Sequence, residues 1–392
     1  MQSLVSLFCG KANRVGMGFF CYLCSQIVVM RRRIVLCWAV ISCIVLSSLG
    51  QTGGKSVYNF LDYSNSCRVS ALGGGLLSVR DDDPSMLYNN PSSISPDHHT
   101  SLVANITDYF SNATYGSMMY SHTFNKVGSM AFGVQFATYG KFDGYDNMGN
   151  ETGSFTAGDY AIYWGWGRRL DSCFSIGAAL KLVYSGYESY HSFGFATDVA
   201  ASYYNAKRRL SLTLMVKNLG SQLKPYTPGR YEPLPFDLQF ALSQRLAHLP
   251  VRYHISLHSL YRWNMIDVRS YEPFLEKDAI TGELHYPNKA ARFFDNFFRH
   301  INVGLEIIPV KYLSLFVSYN HQRHQEMKIP QGKSMAGFSY GFMVNIHSIR
   351  IGFSRSHFAA GATPNYFTFA ANISELSELS KEKKIKKLER LN

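Results

Sequence analysis

From residue 100 onward the chain alternates apolar and polar positions in runs of about ten residues, each closed by a break, as membrane-spanning strands do. Leu210, Leu212, Leu214 and Val216 alternate with Ser211, Thr213, Met215 and Lys217. Val251, Tyr253, Ile255 and Leu257 alternate with Arg252, His254, Ser256 and His258. Ile301, Val303, Leu305 and Ile307 stand against His300, Asn302, Gly304 and Glu306, and Phe338, Tyr340, Phe342, Val344 and Ile346 against Gly337, Ser339, Gly341, Met343 and Asn345. A period of two puts each set on one face of a strand. Strands are expected near residues 100, 115, 127, 156, 173, 189, 210, 236, 251, 300, 313, 337, 348 and 366, fourteen in all.

The breaks carry a second pattern. Those at 125–126, 170–172, 206–209, 247–250, 310–312 and 347–348 are short, whereas 140–155, 219–235, 264–299 and 322–335 are long. The connection near 186–188 is the one short exception on the long side. A water-soluble sandwich has no reason to alternate loop lengths in this way, but a closed membrane barrel has short periplasmic turns and longer outer loops. The expected fold class is therefore all-β: a transmembrane antiparallel β-barrel of about fourteen strands, with both termini on the periplasmic side. Closure satisfies every backbone N–H and C=O that hydrocarbon would leave unpaired, apolar faces meet lipid, and the polar faces meet the lumen. Trp164 and Trp166 share a face near the end of the fourth strand, where an interfacial aromatic girdle belongs.

Composition agrees with this reading: 46% of the 392 residues are hydrophobic and only 17% charged, with 26 Tyr, 27 Phe and 31 Gly. Past the N-terminus there is no apolar run long enough for a spanning helix. Residues 30–50 read as a secretory signal, with Arg31, Arg32 and Arg33 ahead of an apolar stretch and Ser48-Leu49-Gly50 as the cleavage site. The expected organisation is a signal region over 1–50, starting at Met30 and cut after Gly50, then a segment without regular alternation over 51–99. The barrel follows over 100–373, and a charged amphipathic periplasmic tail over 374–392. Cys67 and Cys173 remain after cleavage, with no metal-ligand spacing. The net charge of +12 falls to about +7, which suits an anionic surface, while no nucleic-acid motif is present.

The segment over 51–99 carries short motifs. Asn90-Pro91-Ser92 resembles the Asn-Pro-Ala signature of the hatch in long-chain fatty-acid transporter (FadL-type) barrels, which are fourteen-stranded. The ordered series Tyr58-Asn59-Phe60-Leu61, Arg68, Ala71-Leu72-Gly73-Gly74, Asp81-Asp82-Asp83 and Asn90-Pro91 resembles the PorQ family, the outer-membrane barrels of the type IX secretion attachment complex. Ser92 departs from the usual Ala, and Cys67 from the small residue that commonly precedes the Arg. The resemblance implies a hatch-like segment in the lumen. It also implies a barrel that anchors a PorZ-like surface protein, in a complex with a PorU-like sortase and a PorV-like barrel, for attachment of secreted cargo to lipopolysaccharide. The more distant FadL-type resemblance implies instead a transporter of a hydrophobic small molecule.

Candidate chemistry is sparse. Three consecutive carboxylates, Asp81 to Asp83, followed by Pro84 read as a solvated turn rather than a calcium loop, whose ligands are spaced. His254, Ser256 and His258, with Arg252, Glu306 and Lys181, point into the lumen and read as an ion-pair and hydrogen-bond network. A hydrolase would rest on His254 and Ser256 alone, so no catalytic residue, metal or cofactor is expected. The longest loop, 264–299, carries Tyr271, Phe274, Phe293, Phe294, Phe297 and Phe298, an aromatic set suited to a partner interface, although 293–298 also read as the start of the tenth strand.

Overall fold

A computed structural model describes residues 56–109, 112–266, 286–329, 334–359 and 361–378, together with 275, 284 and 381. The signal region and all but the start of the tail lie outside these residues. Fourteen strands form one closed antiparallel barrel. Seven come first: β1 (Ser101–Asp108), β2 (Thr114–Phe124), β3 (Gly128–Tyr145), β4 (Glu151–Arg169), β5 (Phe174–Tyr187), β6 (Tyr190–Asn205) and β7 (Leu210–Lys224). The others are β8 (Asp237–Arg245), β9 (Val251–Leu257), β10 (Ile301–Val310), β11 (Leu313–Asn320), β12 (Phe338–Ile346), β13 (Ile349–Ser356) and β14 (Asn365–Asn372). Each pairs with its chain neighbours, and β14 closes on β1 from Ser101 opposite Asn372 to Asp108 opposite Asn365.

The alternation sorts as its period requires. Ser211, Thr213 and Met215 of β7 are buried toward the lumen while Leu214 is exposed on the outside. The same holds around the wall: Ile106, Val134, Ile162, Leu182, Val199, Val303, Val317, Phe342, Ile351 and Phe367 are all exposed, and Ser117, Gln135, Ser243, Ser339 and Ser354 are buried. An apolar belt running round a closed sheet is uncovered in water and covered in hydrocarbon. The chain is a transmembrane β-barrel of the bacterial outer membrane. Trp164 belongs to the belt and stacks on Phe132 of the neighbouring strand.

The structure departs from the sequence pattern above the belt. Much of the expected loop 140–155 is strand, because β3 continues to Tyr145 and β4 begins at Glu151. β7 likewise runs to Lys224 within the expected loop 219–235. Both faces of these extensions are largely exposed, so no core-facing alternation marks them as strand. The 264–299 connection contains helix α2 (Lys289–Arg299) and the 322–335 connection overlaps helix α3 (His321–Met327); α1 (Cys67–Ala71) lies in the N-terminal segment. Phe293 to Phe298 thus belong to a helix ahead of β10, not to the strand. The tail begins as helix over 373–378, and Thr100 Oγ1 donates to Ser374 Oγ at 2.8 Å.

The two rims differ in the length of their connections, and accessibility on whole cells checks the orientation. A protease site placed at the β3–β4 turn, where Met148 is 89% exposed, is expected to be cut on intact cells. A site beside Lys311 in the β10–β11 turn is expected to be cut only after the outer membrane is opened.

Candidate functional site: the hatch and its seat in the barrel

Residues 56–100 traverse the bore. Near its start, Val57 N donates to Pro233 O (2.9 Å), in the connection between β7 and β8 on the long-loop side. Phe60 and Leu61 then fill an apolar cluster with Tyr115, Ala137, Ala161, Val183, Ala196 and Leu234. Ser66 caps α1 by accepting from Val69 N at 3.3 Å, and Cys67 N donates to Thr368 Oγ1 of β14 at 2.8 Å. Gly73 and Gly74, at φ +85 and +88, end the helix with bonds to Ser70 O and Val69 O, a backbone that favours glycine. Three short turns follow at Pro84–Met86, Pro91–Ser93 and Pro96–His98, each with proline supplying a preset φ at its first position. The chain then enters β1 at the short-turn rim.

Asn90-Pro91-Ser92 is a close point of contact with the wall. Asn90 Oδ1 accepts from Ser92 N (2.9 Å) and Ser92 Oγ (2.7 Å), and Asn90 Nδ2 donates to Leu77 O (2.7 Å). Ser92 Oγ also bonds Ser202 Oγ of β6 at 2.6 Å, and Ser202 bonds Thr213 Oγ1 of β7 at 2.7 Å. An alanine in place of Ser92 has no such bond to the wall. The wall in turn lacks side chains where the turn presses on it: a Cβ at Gly177 of β5 would overlap the Pro91 carbonyl. A Cβ at Gly167 would lie 2.7 Å from Pro91 O, and one at Gly165 would lie 2.6 Å from Ile94 Cδ1. Cys67 is accommodated in the same way against Gly352 of β13.

A second fastening is ionic. Arg68, almost fully buried, places Nη1 2.7 Å from Asp83 and Nη2 2.8 Å from Asp81 and 3.1 Å from Glu306 of β10. Arg252 of β9 completes the ring at 2.9 Å from Asp81 and 3.0 Å from Glu306, while Arg350 of β13 reaches Asp82 at 2.5 Å. The three aspartates are therefore not a solvated turn: Asp83 is buried, Asp81 is clamped between two guanidiniums, and only the Asp82 carboxylate is exposed. Burial alone would raise the Asp81 carboxyl, but Arg68 and Arg252 outweigh it and hold it below the usual carboxylate range. The ring borders a cavity of about 400 Å³ near the short-turn rim, to which Arg245 and Lys311 also contribute. Deeper in the wall, Lys181 pairs with Asp198 at 2.6 Å, and Lys217 reaches Asp62 of the hatch at 3.0 Å.

His254, Ser256 and His258 do not converge on one another. His254 Nε2 faces Glu306 at 3.4 Å, Ser256 lies under Gly75 of the hatch, and His258 stands past the end of β9 beside His300. Among the described residues no group of three or more His, Cys, Asp or Glu is placed to hold a metal ion. Of the aromatic loop residues, Tyr271 and Phe274 lie outside the described residues, and Phe293, Phe294, Phe297 and Phe298 sit together on α2 with exposed rings. Sequence reading missed the seat itself. Its available signal was the glycine at every second position, Gly165 and Gly167, on the lumen face of β4.

No family model matches this chain, and no curated protein matches it. Among solved structures it is similar to the Pseudomonas putida toluene transporter TodX, at 10% identity over 82% of this chain and 98% of that one, TM-score 0.46. It is similar to a Pseudomonas aeruginosa FadL homologue, at 10% identity over 81% and 99%, TM-score 0.44. It is also similar to the KdgM porin, at 9% identity over 69% and 98%, TM-score 0.29. Scores this low carry no argument about activity. The class, a fourteen-stranded outer-membrane barrel filled by its own N-terminal segment, rests on the closure, the belt and the hatch.

Two substitutions test the seat. Gly177→Val overpacks the Pro91 turn and is expected to cost about 1–3 kcal/mol, freeing residues 56–99 to protease while the barrel stays heat-modifiable on gels. Arg68→Met removes the close ion pair of buried Asp83 and leaves Asp81 and Glu306 to share Arg252, and is expected to cost about 3–5 kcal/mol, read as loss of the same protection.

The ring also sets a pH dependence. A carboxyl with a depressed folded pKa contributes stability above its unfolded value, about 4, and that stability is lost as pH falls through the folded value. The part of the hatch's protease protection that Asp81→Asn removes is therefore expected to be constant from neutral pH down to about 4, and to decline only below it as Asp81 protonates.

Proposed function

We propose that this barrel is a membrane anchor that presents its long-loop rim to a surface protein, as a component of the type IX secretion attachment complex. The observation that carries this reading is the filled bore: the hatch runs from the long-loop half to the short-turn rim, fastened by buried ion pairs and by wall glycines shaped to it. The ordered hatch motifs support the PorQ-like assignment, with a PorZ-like surface protein at the rim and a PorU-like sortase and PorV-like barrel completing the assembly. The positive net charge suits work beside lipopolysaccharide.

One observation favours a second reading, a FadL-like transporter of a hydrophobic small molecule. Phe60 and Leu61 occupy an apolar chamber whose wall is Ala137, Ala161, Val183 and Ala196, and their withdrawal would leave room for an apolar ligand.

Affinity purification from outer membranes of a native host separates the two. Under the attachment reading a large surface protein co-isolates with the tagged barrel. Shortening the chain between 268 and 289 then releases that protein and the secreted cargo into the medium, while the barrel stays heat-modifiable. A barrel recovered alone, whose liposomes take up oleate, replaces attachment with transport.

A further inference from the structure

Helix α2 is inside out. Its residues Asn296 and Arg299 are 4% and 2% exposed, whereas Phe293, Phe294, Phe297 and Phe298 are 53%, 58%, 41% and 48% exposed. On a helix, positions i, i+1, i+4 and i+5 form one stripe, so the four rings share a face and the polar residues share the opposite one. A surface helix facing water buries the apolar stripe; this one buries the polar stripe and turns the apolar one outward.

The polar face is tied to the barrel by specific bonds. Asn288 caps the helix through Ala291 N at 2.8 Å. Asn296 Oδ1 accepts from Met265 N (2.9 Å), and its Nδ2 donates to Trp263 O (2.6 Å). Asp295 pairs with Arg299 at 3.0 Å and with His321 of α3 at 2.8 Å. The orientation is thus fixed by satisfied polar groups, and the outward phenylalanines are a built feature.

What covers them is indicated by where the stripe leads. Phe298 packs edge-on against His321, His321 against Tyr319 of β11, and Tyr319 against Phe338 of β12, with ring centroids 6.0, 6.1 and 4.9 Å apart. Tyr319 and Phe338 stand on the outward, lipid-facing side of the barrel at the long-loop end of the belt. At the other end of the stripe Phe293 packs against Trp263 at 5.4 Å. The aromatic face is therefore continuous with the barrel's own lipid contact, and α2 runs through His300 directly into β10. Lys289, one turn before Phe293, stands at the edge of the stripe, placed to reach anionic headgroups from it.

We infer that α2 is an interfacial helix whose four phenylalanines lie in the outer leaflet of the membrane, so that the occupant of this face is lipid rather than a protein partner. The inference does not rest on the attachment reading and survives its failure.

Spin labelling tests it on the folded barrel beginning at Gln51, which retains Cys67 and Cys173 as its cysteines, in phospholipid vesicles. Phe294→Cys and Phe297→Cys, each in a Cys173→Ser background, are labelled with a nitroxide; Cys67 is buried and stays unlabelled. The expected result is higher collisional accessibility to oxygen than to a water-soluble nickel chelate at both positions, with the reverse at Lys289→Cys. Preference for the nickel chelate at 294 and 297 overturns the inference. So does shielding from both reagents when the labelled barrel is assayed in native outer membranes, because a protein then covers the face. Quenching by brominated lipid is the second measurement and needs no cysteine: in the Trp164→Phe, Trp166→Phe variant, Trp263 emission is expected to fall by at least twofold. Emission that brominated lipid leaves unchanged also overturns the inference.

Discussion

A ring of fourteen strands encloses more space than its inward side chains can fill, and every other feature of this molecule follows from how that space is occupied. An open bore would be a water channel. Here the N-terminal segment takes the space, and it can do so only because each side gives way to the other. Wall glycines remove the atoms that the Pro91 turn and Cys67 would strike, and buried wall charges are neutralised by charges that the segment brings. Arg68 would be a costly residue to bury alone, and Glu306 a costly residue to leave in an empty wall. Arg68 is shared between the hatch's own aspartates and Glu306, and Glu306 between Arg68 and Arg252, so the ring ties the hatch to β9 and β10.

Much of the fold was legible because a strand's alternation is local. Leu212 and Thr213 point apart whatever surrounds them, and the short and long breaks follow from crossing a slab of fixed thickness. The strand extensions above the belt escaped this reading, since residues 141–145 and 151–156 have solvent on both faces and nothing selects apolar residues there.

The hatch seat was less legible, because its partners are remote. Glu306 lies 238 positions from Arg68, and no local pattern announces that pair. The aspartate run illustrates the difficulty: read locally, three carboxylates before a proline are a wet turn, whereas the fold assigns them three different arginine environments. Helix α2 had a signal that went unused. Two adjacent phenylalanines on a strand would point to opposite faces, so the doublets at 293–294 and 297–298 fit a helix stripe rather than the start of β10.

The strands are also unequal in height. β3 and β4 have 18 and 19 residues, while β9 and β11 have 7 and 8. In the closed order β4 and β11 stand half a circumference apart, so the tall sheet rises on one side of the barrel and the aromatic helix lies toward the other. The molecule consequently has a front and a back within the plane of the membrane. Two neighbours diffusing up to it meet a hydrated parapet from one direction and a greasy step from the other. Its surroundings can therefore be arranged by compass bearing as well as by depth.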